Sequence, residues 1–235
     1  NEQIYPVKNR SNGLISNEVR AVFFDKADNL WIGTAGGLTK IDPAGQTELF
    51  TTENGLIGDF IMAIVEDDHS RLWVGTGVGV SIYDPATEQF KTLEFPKQFS
   101  TEYAFGFYLD GDKMWLATDR GLVRYNLSTD KMSLFGRDQG LPVDKLFQVI
   151  EQGDSLWLTS NRGVIQVNKA QLVALLDNPE KVQPMSVSMQ LYDEGDGMLS
   201  AQANGGSNPA AVLHSDGQVW VATAKGVAIA TPERL

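Results

Sequence analysis

Apolar and polar residues alternate in short segments along the chain, and glycine, proline, asparagine or aspartate separates one segment from the next. In the first part of the chain the segments are Val19–Asp25, Leu30–Thr34, Gly37–Asp42 and Gln46–Thr52. Such alternation is typical of strands with one buried face, and the polar connections suit tight hairpins. The pattern predicts four antiparallel strands, which we name a, b, c and d from the centre of the molecule outward.

This four-strand unit recurs, and a tryptophan in strand b marks each copy. The first four tryptophans lie 42 residues apart, and the fifth follows 63 residues after the fourth. A period near 42 residues in a strand-rich chain is typical of a β-propeller with one blade per repeat. We therefore predict an all-β, five-bladed β-propeller of four-stranded antiparallel blades, in one domain spanning residues 1–235. The tryptophans, each expected in the core between blades, are Trp31, Trp73, Trp115, Trp157 and Trp220.

The two ends of the chain predict how the ring closes. The last repeat lacks a strand d, whereas the chain begins with an unassigned apolar segment, Ile4–Val7. We predict that this segment completes blade 5 by pairing with Gly226–Thr231, because closure removes an exposed sheet edge. The longer interval before the fifth tryptophan is expected to hold a helix-like insertion at 169–184 and a loop at 195–209 that is rich in glycine and amides.

One repeat shows the full motif: Asn54–Leu56 precedes Ile61–Asp67, Arg71–Thr76 and Gly79–Asp84. This motif and its four other copies resemble the two-component regulator propeller family, over nearly the whole chain. The resemblance implies a sensor domain on the periplasmic or extracellular side of a bacterial membrane. Such a domain binds a small molecule or an oligosaccharide and acts through a fused or partner output domain, a histidine kinase or diguanylate cyclase. Family members commonly have more repeats, so the chain is either a closed ring or a piece of a longer array.

The charge and the cysteine content of the chain limit the kinds of binding partner and metal site that it can have. The chain has 30 acidic and 19 basic residues and a formal net charge of −11, which argues against nucleic acid and anionic membrane surfaces. It has no cysteine, so disulfides and thiolate metal sites are excluded. No apolar run approaches the length of a membrane span, and no signal peptide is visible.

Candidate binding residues lie on one predicted face. Three b–c turns carry a cation directly before the glycine that begins strand c, and b–c turns share a propeller face with d–a loops. These cations would suit a carboxylated, sulfated or phosphorylated ligand, whereas the a–b turns of the opposite face are acidic. The alternative is that a solvated polar residue simply precedes the turn glycine. The predicted ligand-binding residues are Arg120, Arg162, Lys225, Gln202, Asn204, Asn208, Glu102 and Tyr103.

Catalytic and metal-binding patterns are weak. The two histidines, His69 and His214, have no spacing that suggests a catalytic triad or a metal site. Asp193–Gly197 has some character of a calcium loop, but it lacks the downstream bidentate glutamate and is interpreted as an acidic turn. We therefore predict no catalytic residue, no metal ligand and no cofactor.

Two other functions stay open at this stage. One is a propeller lyase that resembles the streptogramin lyases, with His214 as its loose catalytic candidate. The other is a protein-interaction platform, which a broad exposed apolar patch would favour. The residues that could form such a patch are Leu172, Leu175 and Leu176.

Overall fold

Residues 13–235 are described here from a computed structural model, and their sheets confirm the five-bladed β-propeller. Blades 1–4 are four-stranded antiparallel sheets, and the first strands of successive blades contact one another around the axis. Blade 5 has three strands within the described residues. The segment Ile4–Val7, predicted to supply its fourth strand, lies outside the described residues, so that pairing stays a prediction.

The strands follow chain order within each blade, from the axis outward. Blade 1 contains β1 (Val19–Phe24), β2 (Leu30–Thr34), β3 (Gly37–Ile41) and β4 (Thr47–Phe50); blade 2 contains β5 (Ile61–Glu66), β6 (Leu72–Thr76), β7 (Gly79–Asp84) and β8 (Gln89–Thr92). Blade 3 contains β9 (Ala104–Asp110), β10 (Lys113–Thr118), β11 (Gly121–Asn126) and β12 (Met132–Phe135); blade 4 contains β13 (Leu146–Gln152), β14 (Ser155–Ser160), β15 (Gly163–Asn168) and β16 (Met189–Tyr192). Blade 5 contains β17 (Ala211–Leu213), β18 (Val219–Thr223) and β19 (Gly226–Ala230), and helix α1 (Lys169–Asp177) follows β15.

The outermost strands are shorter than the sequence predicts. In blade 1 the expected strand Gln46–Thr52 ends at Phe50, because Thr52–Asn54 forms a 3₁₀ turn. The Thr51 hydroxyl accepts a hydrogen bond from the Glu53 N–H and caps this turn. Side-chain capping therefore ends the strand before its apolar pattern does.

The tryptophans of blades 1–4 are fully buried, as predicted, whereas Trp220 is only partly buried. Trp31 packs in a cluster with residues of blade 2, and Trp157 packs with residues of blade 5. Trp220 instead stacks on the His214 ring at 5.0 Å, and Ile229, its partner in register, is half-exposed. Trp220 is therefore less completely buried than its four counterparts, and within residues 13–235 its side of blade 5 has less apolar cover than the other blades.

A hydroxyl group fixes each b–c turn. In all five blades the Thr or Ser at the end of strand b donates a hydrogen bond of 2.7–3.0 Å to the carbonyl of the glycine that begins strand c. The same oxygen accepts the N–H of the residue before that glycine. The Gly-Thr part of the repeat therefore builds the turn. It leaves the side chains of Arg120, Arg162 and Lys225 exposed.

The acidic a–b turns also have a structural role. The carboxylates of Asp25, Asp67 and Asp110 each accept a hydrogen bond from the tryptophan indole N–H of their own blade, at 2.8–3.2 Å. Burial raises the pKa of Asp25, but the hydrogen bonds donated by Trp31 and Asn29 outweigh burial and hold the pKa below its ordinary value. The acidic residues of this face are thus partly explained by the need to satisfy buried indole groups.

Helix α1 packs its apolar side against the propeller. Leu172, Leu175 and Leu176 are buried in the cluster that joins blades 3 and 4. The exposed apolar patch considered for these leucines is therefore absent, because they form part of the core. None of the helices in residues 13–235 has the length and hydropathy that a membrane span requires.

Lys169, the first residue of α1, links two blades on the a–b side. Its Nζ lies 2.8 Å from Asp110 Oδ2 in blade 3 and 2.7 Å from Glu151 Oε1 in blade 4. Burial raises the pKa of Asp110, but hydrogen bonds from Lys169 and Trp115, with the charge of Lys169, lower it overall. A carboxyl with a lowered pKa in the folded state stabilises the fold above its unfolded-state pKa and loses that contribution as pH falls through its folded-state pKa.

We expect Asp110→Asn to lower the free energy of unfolding at pH 7 by about 0.5–1.5 kcal/mol, since a part-buried charged hydrogen bond is lost. Urea denaturation should show this difference shrinking as pH falls through the lowered pKa of Asp110, where the wild type also loses the charge. Asp138→Asn is the control, because Asp138 is exposed and makes no ion pair among residues 13–235. A difference that does not depend on pH would contradict the assigned role of the ion pair.

Candidate functional site

Blades 1–4 each carry a one-residue β-bulge at the same place in the innermost strand. The register of β1 on β2 skips one residue between Val19 and Ala21, and blades 2–4 repeat the irregularity. A bulge leaves one residue unpaired and re-aims its side chain. The four bulged residues are Arg20, Met62, Phe105 and Phe147.

These four side chains meet in one cavity of about 610 Å³, which we call the axial funnel. It opens where the innermost strands begin, on the face of the b–c turns. Its volume lies in the range of small-molecule sites. The funnel is lined by Arg20, Phe60, Met62, Phe105, Lys145, Phe147, Asn161, Gln202, Ala203, Asn204, Gly205, Gly206 and Ser207.

Residues 200–208, which we call the strap, cross the funnel from blade 4 to blade 1. The Ala203 N–H donates to the Ser160 carbonyl (3.0 Å), and the Asn204 N–H donates to the Ala222 carbonyl (2.9 Å). At the far end the Asn208 N–H donates to the Arg20 carbonyl at 2.8 Å. The strap therefore joins the first and last blades of the described ring and lines the funnel with amides.

Glycine allows the strap to lie close to the funnel wall. A Cβ at Gly205 would stand 2.5 Å from the Phe147 ring, which is too close for any other residue without movement. Gly206 has a φ of +72°, and its carbonyl accepts a hydrogen bond of 2.9 Å from Arg20 Nε. The glycine pair thus brings backbone carbonyl, guanidinium and aromatic ring into one wall.

Aromatic contacts order the apolar side of the funnel. The Phe105 and Phe147 rings meet edge to face with centroids 4.9 Å apart, and Tyr103 meets Phe105 at 5.2 Å. Phe60 lies under the Arg20 guanidinium, 5.1 Å from the ring centroid to Cζ. Edge-to-face and cation–π contacts restrain these rings, so the funnel wall is preorganised.

A buried amide lies beside this wall. Gln148 is 6% exposed, and its Nε2 has no hydrogen-bond partner among the described residues. This nitrogen lies 3.0 Å from where a Cβ would stand on Gly106, between the innermost strands of blades 3 and 4. A buried donor without a partner is costly, so this nitrogen is an unsatisfied polar group next to the funnel wall, although Gln148 itself does not line the funnel.

The structure brings some of the predicted site residues together and separates others. Gln202 and Asn204 line the funnel, and Tyr103 lies behind Phe105. Asn208 fastens the strap to blade 1. The backbone N–H groups of Glu102 and Tyr103 bond the Asp119 carboxylate, and the Glu102 side chain is exposed.

The three predicted cations do not share a cavity. Arg120 lines a lateral groove of about 510 Å³ between β12 and α1, whose apolar lining includes Phe99 and Leu176. Lys225 lines a separate cleft of about 190 Å³ on blade 5. Arg162 lines neither of these cavities nor the funnel, although its neighbour Asn161 lines the funnel.

Sequence reasoning missed most of the funnel. The bulged residues follow no motif of their own, yet two signals accompany them. Each interrupts the alternation of its strand, as Ile61-Met62 does with two successive apolar residues. In three blades a small residue follows the bulged residue: Ala21, Ala63 or Gly106.

The histidines lie away from the funnel. His69 lies in the a–b turn of blade 2 and His214 in that of blade 5, where its Nδ1 is 2.8 Å from Asp216 Oδ1. In the acidic turn after β16, the Asp193 carboxylate accepts the Gly195 N–H as a cap. Within residues 13–235, no group of three or more His, Asp or Glu side chains is arranged to hold a metal ion.

A ring of five antiparallel blades around an axial funnel, with four strands in each of blades 1–4, defines the class of protein as a β-propeller. Two segments, residues 13–36 and 55–77, match the family model described as "Two component regulator propeller". These two segments of the chain are therefore similar to two component regulator propeller repeats. No curated protein matches the chain significantly.

Solved structures share the fold. An extracellular domain assigned to a hybrid two component system of B. thetaiotaomicron superposes with a TM-score of 0.77 at 24% identity, covering 99% of this chain and 30% of that one. Another, assigned to a one component system of the same organism, gives 0.70 at 17% identity, with 91% and 27% covered. The catalytically inactive virginiamycin B lyase of Staphylococcus aureus gives 0.59 at 12% identity, with 92% and 70% covered. The chain thus spans less than a third of the first two structures.

Proposed function

We propose that this chain is a ligand-sensing domain, or part of one, that binds a small molecule or oligosaccharide in the axial funnel. The observation that carries the proposal is the convergence of four bulged side chains and the strap on one preorganised cavity. A bulge repeated in four blades disrupts the strand ladder each time, and bulges are over-represented next to functional sites, where they re-aim a side chain.

The signalling context of the proposal rests on the repeats and on the fold. Both the family model and the first two structural neighbours are named for two or one component signalling systems, and those neighbours are extracellular domains. We infer a periplasmic or extracellular location on a bacterial membrane. The output, of histidine kinase or diguanylate cyclase type, belongs to a fused or partner domain.

We also propose that the chain is not an enzyme. The lyase neighbour is described in a catalytically inactive histidine-to-alanine form, which makes histidine important in that protein. In this chain the funnel lining within residues 13–235 contains no histidine, and His69 and His214 lie in a–b turns on the opposite side. A lyase mechanism in the funnel would therefore lack the histidine side chain.

A thermal-shift screen of small metabolites and oligosaccharides tests the proposed function. A ligand at a hundredfold excess over its Kd adds about 2.7 kcal/mol of stability, or about 5–10 °C in melting temperature for a domain of this size. We expect Gln202→Ala/Asn204→Ala, in the funnel, to abolish most of the shift.

The matched control is Arg120→Ala/Arg162→Ala, which removes two exposed cations of the same face outside the funnel. We expect this variant to keep the shift. If the control variant loses the thermal shift and the funnel variant keeps it, the ligand binds at the cations of the b–c turns and not in the funnel.

A further inference from the structure

The axial funnel differs in charge from the rest of the molecule. The chain has 30 acidic and 19 basic residues, yet the funnel lining in residues 13–235 contains Arg20, Lys145 and no carboxylate. Glu18 pairs with Arg20 from outside the lining, so the two cations together leave the site with a net positive charge, which favours anions at the mouth of the funnel in an otherwise acidic protein. The inference that follows rests on the proposed function and specifies the class of ligand.

Arg20 is held in one orientation. Its Nε donates to the Gly206 carbonyl at 2.9 Å, and its Nη1 lies 3.2 Å from Glu18 Oε1. The guanidinium lies over the Phe60 ring. These contacts use Nε and one hydrogen of Nη1, so the hydrogens of Nη2 are donors that a ligand can use, and a fixed guanidinium loses little entropy when it binds a carboxylate.

Lys145 is a second, freer cation. It is exposed and forms no ion pair within the described part of the chain, and the neighbouring Asp144 carboxylate lies 3.7 Å from Arg137 Nε. Its charge is therefore available to an anion entering the funnel.

The remaining walls are apolar or carry amides. Phe105 and Phe147 present ring edges and faces, and Met62 adds a polarisable thioether. Gln202 and Asn204 in the strap offer hydrogen bonds to polar substituents. Apolar rings on one side and cations on the other match a ligand that has a ring and an acidic group.

We propose that the axial funnel binds a ring-shaped carboxylate. Its carboxylate pairs with Arg20 Nη2 and is attracted by Lys145, while the ring packs on Phe105 and Phe147. Aromatic acids and hexuronic acid sugars share this chemistry, because an aromatic ring and the C–H face of a sugar can both pack on phenylalanine.

Isothermal titration calorimetry with matched probes tests the proposal and distinguishes the two sources. 2-Naphthoate is compared with 2-naphthamide, its uncharged counterpart, and trigalacturonate is compared with neutral galactotriose. We expect at least one carboxylate to bind tenfold or more tightly than its neutral counterpart, because a charged hydrogen bond is lost in the neutral one. A difference between 2-naphthoate and 2-naphthamide would identify the ligand as an aromatic acid. A difference between trigalacturonate and galactotriose would identify it as a hexuronic acid sugar.

Three variants test whether the preference for a carboxylate arises from the cations of the axial funnel. We expect Arg20→Gln to weaken the binding of that carboxylate about tenfold or more and to bring it close to the neutral probe. Lys145→Gln should weaken it less and should fold normally, because this side chain is exposed. Arg162→Gln, an exposed cation outside the funnel, is the control and should bind like the wild type.

Two results would overturn the inference. Equal binding of charged and neutral probes would show that the funnel does not select carboxylates, while leaving ligand binding by the funnel intact. Failure of both carboxylates to bind at millimolar concentration would also overturn the ligand class. The proposed function is then tested separately by the thermal-shift screen with neutral compounds, which compares the wild type with Gln202→Ala/Asn204→Ala.

Discussion

Replacing Trp73 by alanine should lower the free energy of unfolding by about 3–5 kcal/mol, the range for deleting a large buried aromatic side chain. Trp73 is 0% exposed and packs edge to face on Phe107 and Tyr125, at 6.2 and 5.2 Å. Its indole N–H donates to Asp67 Oδ2 at 2.8 Å, and Asp67 is itself fully buried. The substitution therefore leaves a cavity between blades 2 and 3 and removes one hydrogen bond from a buried carboxylate.

Trp220→Ala is the matched control, because Trp220 occupies the same repeat position and is only partly buried. We expect a smaller loss for it, about 1–2 kcal/mol, in urea denaturation of both variants. A loss below about 1 kcal/mol for Trp73→Ala would contradict the packing of blades through their tryptophans.

The second large effect is expected at Gly106, in the innermost strand of blade 3. A Cβ at this position would lie 2.3 Å from the Phe147 carbonyl oxygen and 3.0 Å from Gln148 Nε2. Gly106→Ala should therefore push β9 and β13 apart and cost about 1–3 kcal/mol, as overpacking does in other cores. Because Phe105 and Phe147 flank this contact, the variant should also weaken ligand binding in the axial funnel.

Gly77→Ala controls for the intrinsic effect of adding a methyl group. The nearest atom to a Cβ at Gly77 is 3.7 Å away, in ordinary contact, so its stability should change by no more than about 0.5 kcal/mol. Chemical denaturation of the two variants checks the comparison. Equal stability of the two variants would mean that blades 3 and 4 are not as closely spaced as the structure has them.

The repeat made the blades predictable for a physical reason. Strand b must bury one large aromatic and end in a hydroxyl residue that fixes the b–c turn, so Trp73 and Thr76 recur with their counterparts at a regular spacing. The burial of Trp220 was harder to predict, because it depends on which residues cover blade 5 and not on the repeat. The leucines of α1 show the same limit: their helical spacing is visible in the sequence, but whether they face solvent or core is a tertiary property.

The candidate site was less predictable than the fold. Arg120, Arg162 and Lys225 share a turn position, and equivalence in the repeat suggested a common site. In a propeller, however, equivalent turn positions lie on separate blades around the ring, and the structure places Arg120 and Lys225 in different cavities. The residues that converge are those close to the axis, such as Phe147, and a bulge brings them there. A single-residue bulge changes the direction of one side chain without a strong trace in composition.

Hydrogen–deuterium exchange, with and without the compound that gives the largest thermal shift, tests the central claim most directly. Binding in the axial funnel predicts protection of the strap, residues 200–208, and of the first residues of β1, β5, β9 and β13. The lateral groove, including β12 and the end of α1, should exchange at the same rate in both states. Protection of the lateral groove or of the a–b turns, with an unchanged strap, would contradict the assignment of the funnel as the ligand site.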